Sequence, residues 1–144
     1  MPAPPSPDVR CPCGLPRPYG SCCGALHAGT GRAATAELLM RSRYSAFAVG
    51  DAAYLLATWH PTTRPPALDL DPEQRWTALE VVGSTGGSLL LAEGTVAFRA
   101  HYRHAGRAGT LAENSRFVRE GGRWSYVGPV PPDPVPPHPR PVSR

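Results

Sequence analysis

Gly94-Thr-Val-Ala-Phe-Arg-Ala-His-Tyr-Arg103 alternates side-chain character at every step. Val96, Phe98, Ala100 and Tyr102 fall on one face of an extended chain, with Arg99, His101 and Arg103 on the other. A period of two marks a strand with one face on a core and one toward water. The surrounding sequence continues the pattern. Residues 76–82 are rich in strand formers, Gly86-Gly87 marks a turn, and residues 89–92 read as the start of a short strand. Beyond a turn over 105–109, residues 111–119 and 123–127 predict a hairpin across Glu120-Gly121-Gly122.

Upstream the period changes to that of a helix. Thr35 is placed to cap it, Glu37 complements the dipole in the first turn, and Gly50 ends it. Ala36, Leu39, Met40 and Phe47 share one face, with Tyr44 at its margin. Arg43 projects into the middle of that face, while Arg41 sits beside Glu37 at i,i+4 on a more polar side. A second helix is capped by Asp51, carries Ala52, Leu55, Leu56 and Trp59 on one stripe, and stops before Pro61. Asp71-Pro72-Glu73 reads as the cap and first turn of a third. Helices followed by hairpin-linked strands predict an α+β fold, two to three helices packed on a curved antiparallel sheet.

All four cysteines precede these elements, as Cys11-Pro-Cys13 and Cys22-Cys23. Thiolates are soft ligands suited to zinc or iron, and a structural site takes four ligands in a tetrahedron. Pro12, Gly14, Pro16, Pro18 and Gly20 supply the turns needed to bring the pairs together. Two disulfides are the alternative, in three connectivities. Adjacent Cys22 and Cys23 would bridge each other only with strain. The first seven residues hold no apolar run of the kind a signal peptide needs, so a reducing cytoplasm is expected. Arg10 and Arg17 lie close enough in sequence to offset the charge of four thiolates, and His27 reads as a surface or loop histidine.

The run from Cys11 to Gly24 resembles the SEC-C motif, the zinc-binding segment first known from the SecA translocation ATPase. Its Gly-Ser-Gly-Lys turn is Gly14-Leu15-Pro16-Arg17 here, which removes any partner contact made through that Ser or Lys. The resemblance extends through Gly24-Ala-Leu-His-Ala-Gly29, Leu39-Met-Arg-Ser-Arg-Tyr-Ser-Ala-Phe47, Thr58-Trp-His-Pro61 and Ser115-Arg-Phe-Val-Arg-Glu-Gly-Gly-Arg-Trp124. Together these resemble the bacterial YchJ-like family, which joins an N-terminal SEC-C motif to a nuclear-transport-factor-2-like, cystatin-like cone. The resemblance implies a metal site at Cys11, Cys13, Cys22 and Cys23, with zinc expected and iron as the alternative. It implies a knuckle over residues 10–29 and a cone over 30–128, flanked by proline-rich, mobile tails at 1–9 and 129–144.

Composition narrows the function. No apolar run approaches the ~20 residues of a membrane span. The net charge of +4 comes from 15 arginines with no lysine, scattered from Arg10 to Arg144. Scatter of that kind is solvated surface rather than an electrostatic footprint for nucleic acid. Single-stranded nucleic acid would need an exposed aromatic beside the arginines, and Tyr19 is the one that qualifies. No nucleophile elbow, phosphate loop or second ligand cluster is present.

A cone of this type offers a pocket, and Arg43, Tyr44, Trp59, His60, His101 and Asn114 are its candidate lining residues. His60 also reads as a helix-end cap, and His101 shares a solvated strand face with arginines. Arg43 is the anchor: a core-facing guanidinium must find an anion, either Glu80 or Glu113, or else a ligand. Two functions follow. The first is a metal-stabilised interaction module for a protein partner, for which the family resemblance suggests a SecB-like chaperone or the ribosome. The sequence favours it, because its one specific motif is a closed metal site and the pocket has no legible catalytic set. The second is a small-ligand binder or enzyme. A deep cavity containing Arg43 favours the second, and a filled cone the first.

Overall fold

The computed structural model describes residues 6–86 and 91–131. A short 3-10 turn, Tyr19–Ser21, leads into α1, Cys23–His27. Then come α2, Ala36–Val49, and α3, Ala52–Ala57. Four strands follow, β1 Gln74–Gly86, β2 Glu93–His104, β3 Arg107–Glu120 and β4 Arg123–Pro129. They form one antiparallel sheet in the order β1-β2-β3-β4. Bulges interrupt β1 between Trp76 and Ala78 and between Val81 and Gly83, and β4 at Val127, opposite the Arg116–Phe117 step. A bulge bends and twists a strand, so these are the points at which the sheet curls around α2. The first bulge also shifts the inward phase of β1, which places Trp76, Leu79 and Val81 against the core.

α2 begins where Thr35 Oγ1 accepts the Leu38 N–H at 3.1 Å and ends at Gly50, whose φ of 79° is the left-handed C-cap. It is buried on two sides. Leu39, Met40 and Tyr44 meet Val96, Ala100, Phe117 and Trp124 of the sheet in the core. Ser45, fully buried, faces the cysteine-bearing segment at Cys11, and the equally buried Ser42 turns its hydroxyl to Tyr54 while its backbone carbonyl accepts His27. The small serines let that segment approach the helix backbone.

The structure corrects several boundaries. α3 ends at Ala57, because Thr58 Oγ1 turns back onto the Tyr54 carbonyl at 2.8 Å and Trp59 leaves to bridge Tyr126 in parallel. The third helix is replaced by a turn. Asp71 Oδ1 accepts the Glu73 N–H at 2.9 Å, and the chain enters β1 directly. Pro7 and Val9 bond to the knuckle through Gly20 N–H and Tyr19 N–H, at 3.0 and 2.7 Å. At the other end β4 runs on to Pro129, and Val130 N–H donates to the Asn114 carbonyl at 2.7 Å. The β2–β3 turn is confined to Ala105 and Gly106. Residues 1–5 and 132–144 of the tails, Gly87, and residues 89 and 90 of the expected short strand lie outside the described residues; Leu91 and Ala92 are not strand.

Candidate metal centre and cone cavity

The four thiols meet with all their sulfurs within 4.8 Å of one another. Cys13 Sγ and Cys22 Sγ are 3.7 Å apart. Sulfurs ~2.3 Å from a tetrahedral zinc stand about 3.8 Å from each other, whereas a disulfide needs ~2.05 Å. All four are free thiols, three of them buried. The turn that makes this possible is local: Cys11 N–H donates to the Arg17 carbonyl at 2.9 Å, and Gly14 takes a φ of 91°. Hydrogen bonds from Cys13 and Cys23 draw the Cys11 thiol far below its usual range. The bond to Cys11 holds Cys23 well above it, and burial pushes Cys22 up to about 11. Crowded thiols of this kind ionise together only when a cation supplies the opposing charge. The donor set fits a metal and fills a tetrahedron, so the arrangement is a closed, structural one.

α2 supports the centre. Arg41 Nη1 donates to the Cys13 carbonyl at 2.8 Å while its Nε holds Glu37 at 3.0 Å. Ser45 Oγ lies 3.7 Å from Cys11 Sγ. His27, expected at the surface, is half-buried between knuckle and helix. Its Nε2–H donates to the Ser42 carbonyl at 2.8 Å and its Nδ1 accepts the Tyr19 hydroxyl at 2.6 Å. Tyr19 is therefore buried at 8% exposure, and the aromatic face on which a nucleic-acid reading depended is not available. Gly24 is required here, because a Cβ would stand 2.6 Å from the Tyr19 carbonyl oxygen. Gly24→Ala is expected to weaken the knuckle by ~1–3 kcal/mol, read as faster metal loss to a competing chelator.

A cavity of about 300 Å³ lies between α2, Trp59 and the inner face of the sheet. Met40, Phe47, Trp76, Phe98 and Phe117 make its walls apolar, and Arg43, Glu113, Ser115 and Tyr126 give it one polar end. Arg43 is 5% exposed. Its Nη1 donates to the Leu55 carbonyl at 2.7 Å and to Thr58 Oγ1 at 2.6 Å. The guanidinium carbon stands 5.1 Å from the Trp59 ring centre and 4.6 Å from that of Tyr126. Burial lowers its pKa to about 10, so the charge persists at neutral pH.

Among the described residues no carboxylate forms an ion pair with Arg43. Glu80 is on the outer face with His101. Glu113 Oε2 accepts the Tyr126 hydroxyl at 2.9 Å and the Ser115 hydroxyl at 2.5 Å. The indole Nε1–H of Trp59 is buried without an acceptor among the described residues.

Residues 35–129 match the family model described as "YchJ, middle NTF2-like domain". The chain belongs to the YchJ-like family. It is similar to a UPF0225 protein of Streptomyces avermitilis, 57% identical over 119 residues, which span 83% of this chain and 82% of that one. A UPF0225 protein of Streptomyces coelicolor is 56% identical over 88% of this chain and 95% of its own. Among solved structures it resembles a SEC-C motif containing protein from Rhodopseudomonas palustris. That likeness has a TM-score of 0.75 and 36% identity, over 87% of this chain and all (100%) of the other. A SEC-C motif containing protein from Psychrobacter arcticus gives a TM-score of 0.71 at 30% identity, over 85% and 83% of the two chains.

In this YchJ-like cone, Arg43 and Tyr44 of α2, and Trp59 beyond the end of α3, line the cavity. His60 and His101 do not. His60 turns to the β3–β4 hairpin, where Nε2 meets Glu120 at 2.9 Å and Nδ1 meets Thr62 at 2.7 Å. His101 lies on the outer face between Glu80, at 2.6 Å, and Thr110, at 2.9 Å. Asn114 is exposed on the same outer face, because Glu113 takes the inward position beside it. Glu113, Ser115, Tyr126 and Gln74 are polar lining residues beyond those the sequence offers.

Proposed function

We propose that this YchJ-like chain binds a small molecule in its cone and that a structural zinc knuckle braces the helix over the cavity. The observation that supports it is the cavity itself, floored by a buried arginine with no paired carboxylate among the described residues. A purely structural cone would fill that space, since a void forfeits the contacts of every atom lining it. Zinc is the reading for the metal, with iron the alternative; one zinc per chain by elemental analysis supports it. Buried free thiols favour a reducing, cytoplasmic setting. The adaptor reading, with a SecB-like chaperone or the ribosome as partner, rests on the motif resemblance alone. A pull-down comparing intact protein with a Cys11→Ser/Cys13→Ser variant tests it.

The cone reading is tested with Ala100→Phe, which puts a ring into the cavity from the sheet side. A library of small aromatic fragments, charged and neutral, is expected to stabilise the native protein and not this variant. At tenfold excess over Kd a bound fragment adds about 1.4 kcal/mol. Equal stabilisation of both proteins by every active fragment would place binding elsewhere and overturn the reading.

A further inference from the structure

The polar end of the cavity presents hydrogen-bond donors that lack acceptors. Arg43 commits only Nη1, to Leu55 and Thr58, and its Nε–H and Nη2 hydrogens meet no acceptor among the described residues. Trp59 Nε1–H is also unpartnered among the described residues, but it is enclosed by protein and does not open onto the cavity. A guanidinium is a donor-only group. The neighbouring acceptor, Glu113 Oε2, already receives Tyr126 and Ser115, and the Tyr126 ring covers one side of the guanidinium. What satisfies this end is an oxygen that accepts, and a negative one also answers the buried charge. The opposite walls are aromatic, from Phe47, Trp76, Phe98 and Phe117. At interior packing density a cavity of 300 Å³ holds roughly a dozen non-hydrogen atoms.

We infer that the cone takes a small aromatic monocarboxylate, its ring among the aromatic walls and its carboxylate on Arg43. This rests on the cone being a ligand site, and it goes further by fixing the chemical class. The carboxylate docks at the α2–Trp59 end, and the side nearer Glu113 excludes a second negative charge. A dicarboxylate of the same size is therefore rejected, and so is a free inorganic anion, which leaves the aromatic walls uncovered.

The probes are phenylacetate, its neutral isostere phenylacetamide, phthalate as a dicarboxylate, and inorganic phosphate. Each is titrated into the metal-loaded full chain by thermal shift and tryptophan fluorescence. Phenylacetate is expected to bind about tenfold or more tighter than phenylacetamide, as loss of a charge-assisted bond to a buried donor implies. Phthalate and phosphate are expected to give no shift. Arg43→Lys keeps the charge and removes the planar fork. It is expected to fold and to weaken phenylacetate severalfold while leaving phenylacetamide nearly unchanged. Equal binding of acid and amide, or an amide preference, overturns the carboxylate assignment and leaves a neutral-ligand cone intact. Absence of binding by every aromatic probe overturns both.

Discussion

Cys13→Ser is expected to purify without stoichiometric metal and to melt roughly 10 °C below the native protein, a loss of about 2–3 kcal/mol. Cys13 is fully buried, and a serine hydroxyl there is a poor ligand that leaves three crowded thiols without a completed site. The loss spreads to the cone because the knuckle is bonded to α2. The Arg41–Cys13 carbonyl bond, the His27–Ser42 carbonyl bond and the Ser45–Cys11 contact all depend on an ordered knuckle. Each is worth ~1 kcal/mol. The core of Leu39, Val96, Phe117 and Trp124 touches none of the cysteines, so the sheet should persist. Circular dichroism is expected to keep its strand signal, and chelation of the native protein should reproduce the variant. A Cys13→Ser protein with one metal per chain and an unchanged Tm would refute the four-thiolate centre.

Arg43→Ala carries the second large effect, a destabilisation of about 3 kcal/mol. The Leu55 carbonyl and Thr58 hydroxyl lose their donor, and the rings of Trp59 and Tyr126 lose the cation between them. The cavity also grows by the length of the side chain. Arg43→Met is expected to recover about half of the loss, because it restores volume and brings no charge that must be stripped of water. Urea denaturation of the three proteins at neutral pH measures this. Native-like stability of Arg43→Ala would mean that the guanidinium contributes nothing to the helix pair it joins.

How much of this was legible from residues depends on whether the signal is local. The alternation of 94–103 and the stripe of α2 gave the fold class, since each reports burial along a single element. Cys11, Cys13, Cys22 and Cys23 were legible because thiols have few other uses at that spacing. Arg43 was legible as a conflict between residue type and position. Glu113 was not, because a lone glutamate in an alternating strand is ambiguous until the register is known, and it is the pairing with Phe98 that turns it inward. His60 was misplaced as a pocket residue for a related reason: its partner Glu120 lies 60 residues away, and a pairing of that range is not written in its neighbourhood. The alternation of β2 did put His101 on the solvated face, where it meets Glu80. The knuckle's dock on α2 did leave a trace in the small residues Ser42, Ser45 and Ala46, which read as ordinary helix without the second layer beside them.

The indole N–H resonance of Trp59 gives the most direct view of the cone, since it is resolved in a two-dimensional ¹H–¹⁵N spectrum and reports one buried donor. On titration with phenylacetate a saturable shift of this peak is predicted, because the Trp59 ring lines the cavity, with Trp76 and the backbone of Phe98 and Phe117 responding at the same midpoint. A titration in which the Trp59 peak stays fixed, while shifts gather around His101 and Glu80 on the outer face, would contradict it.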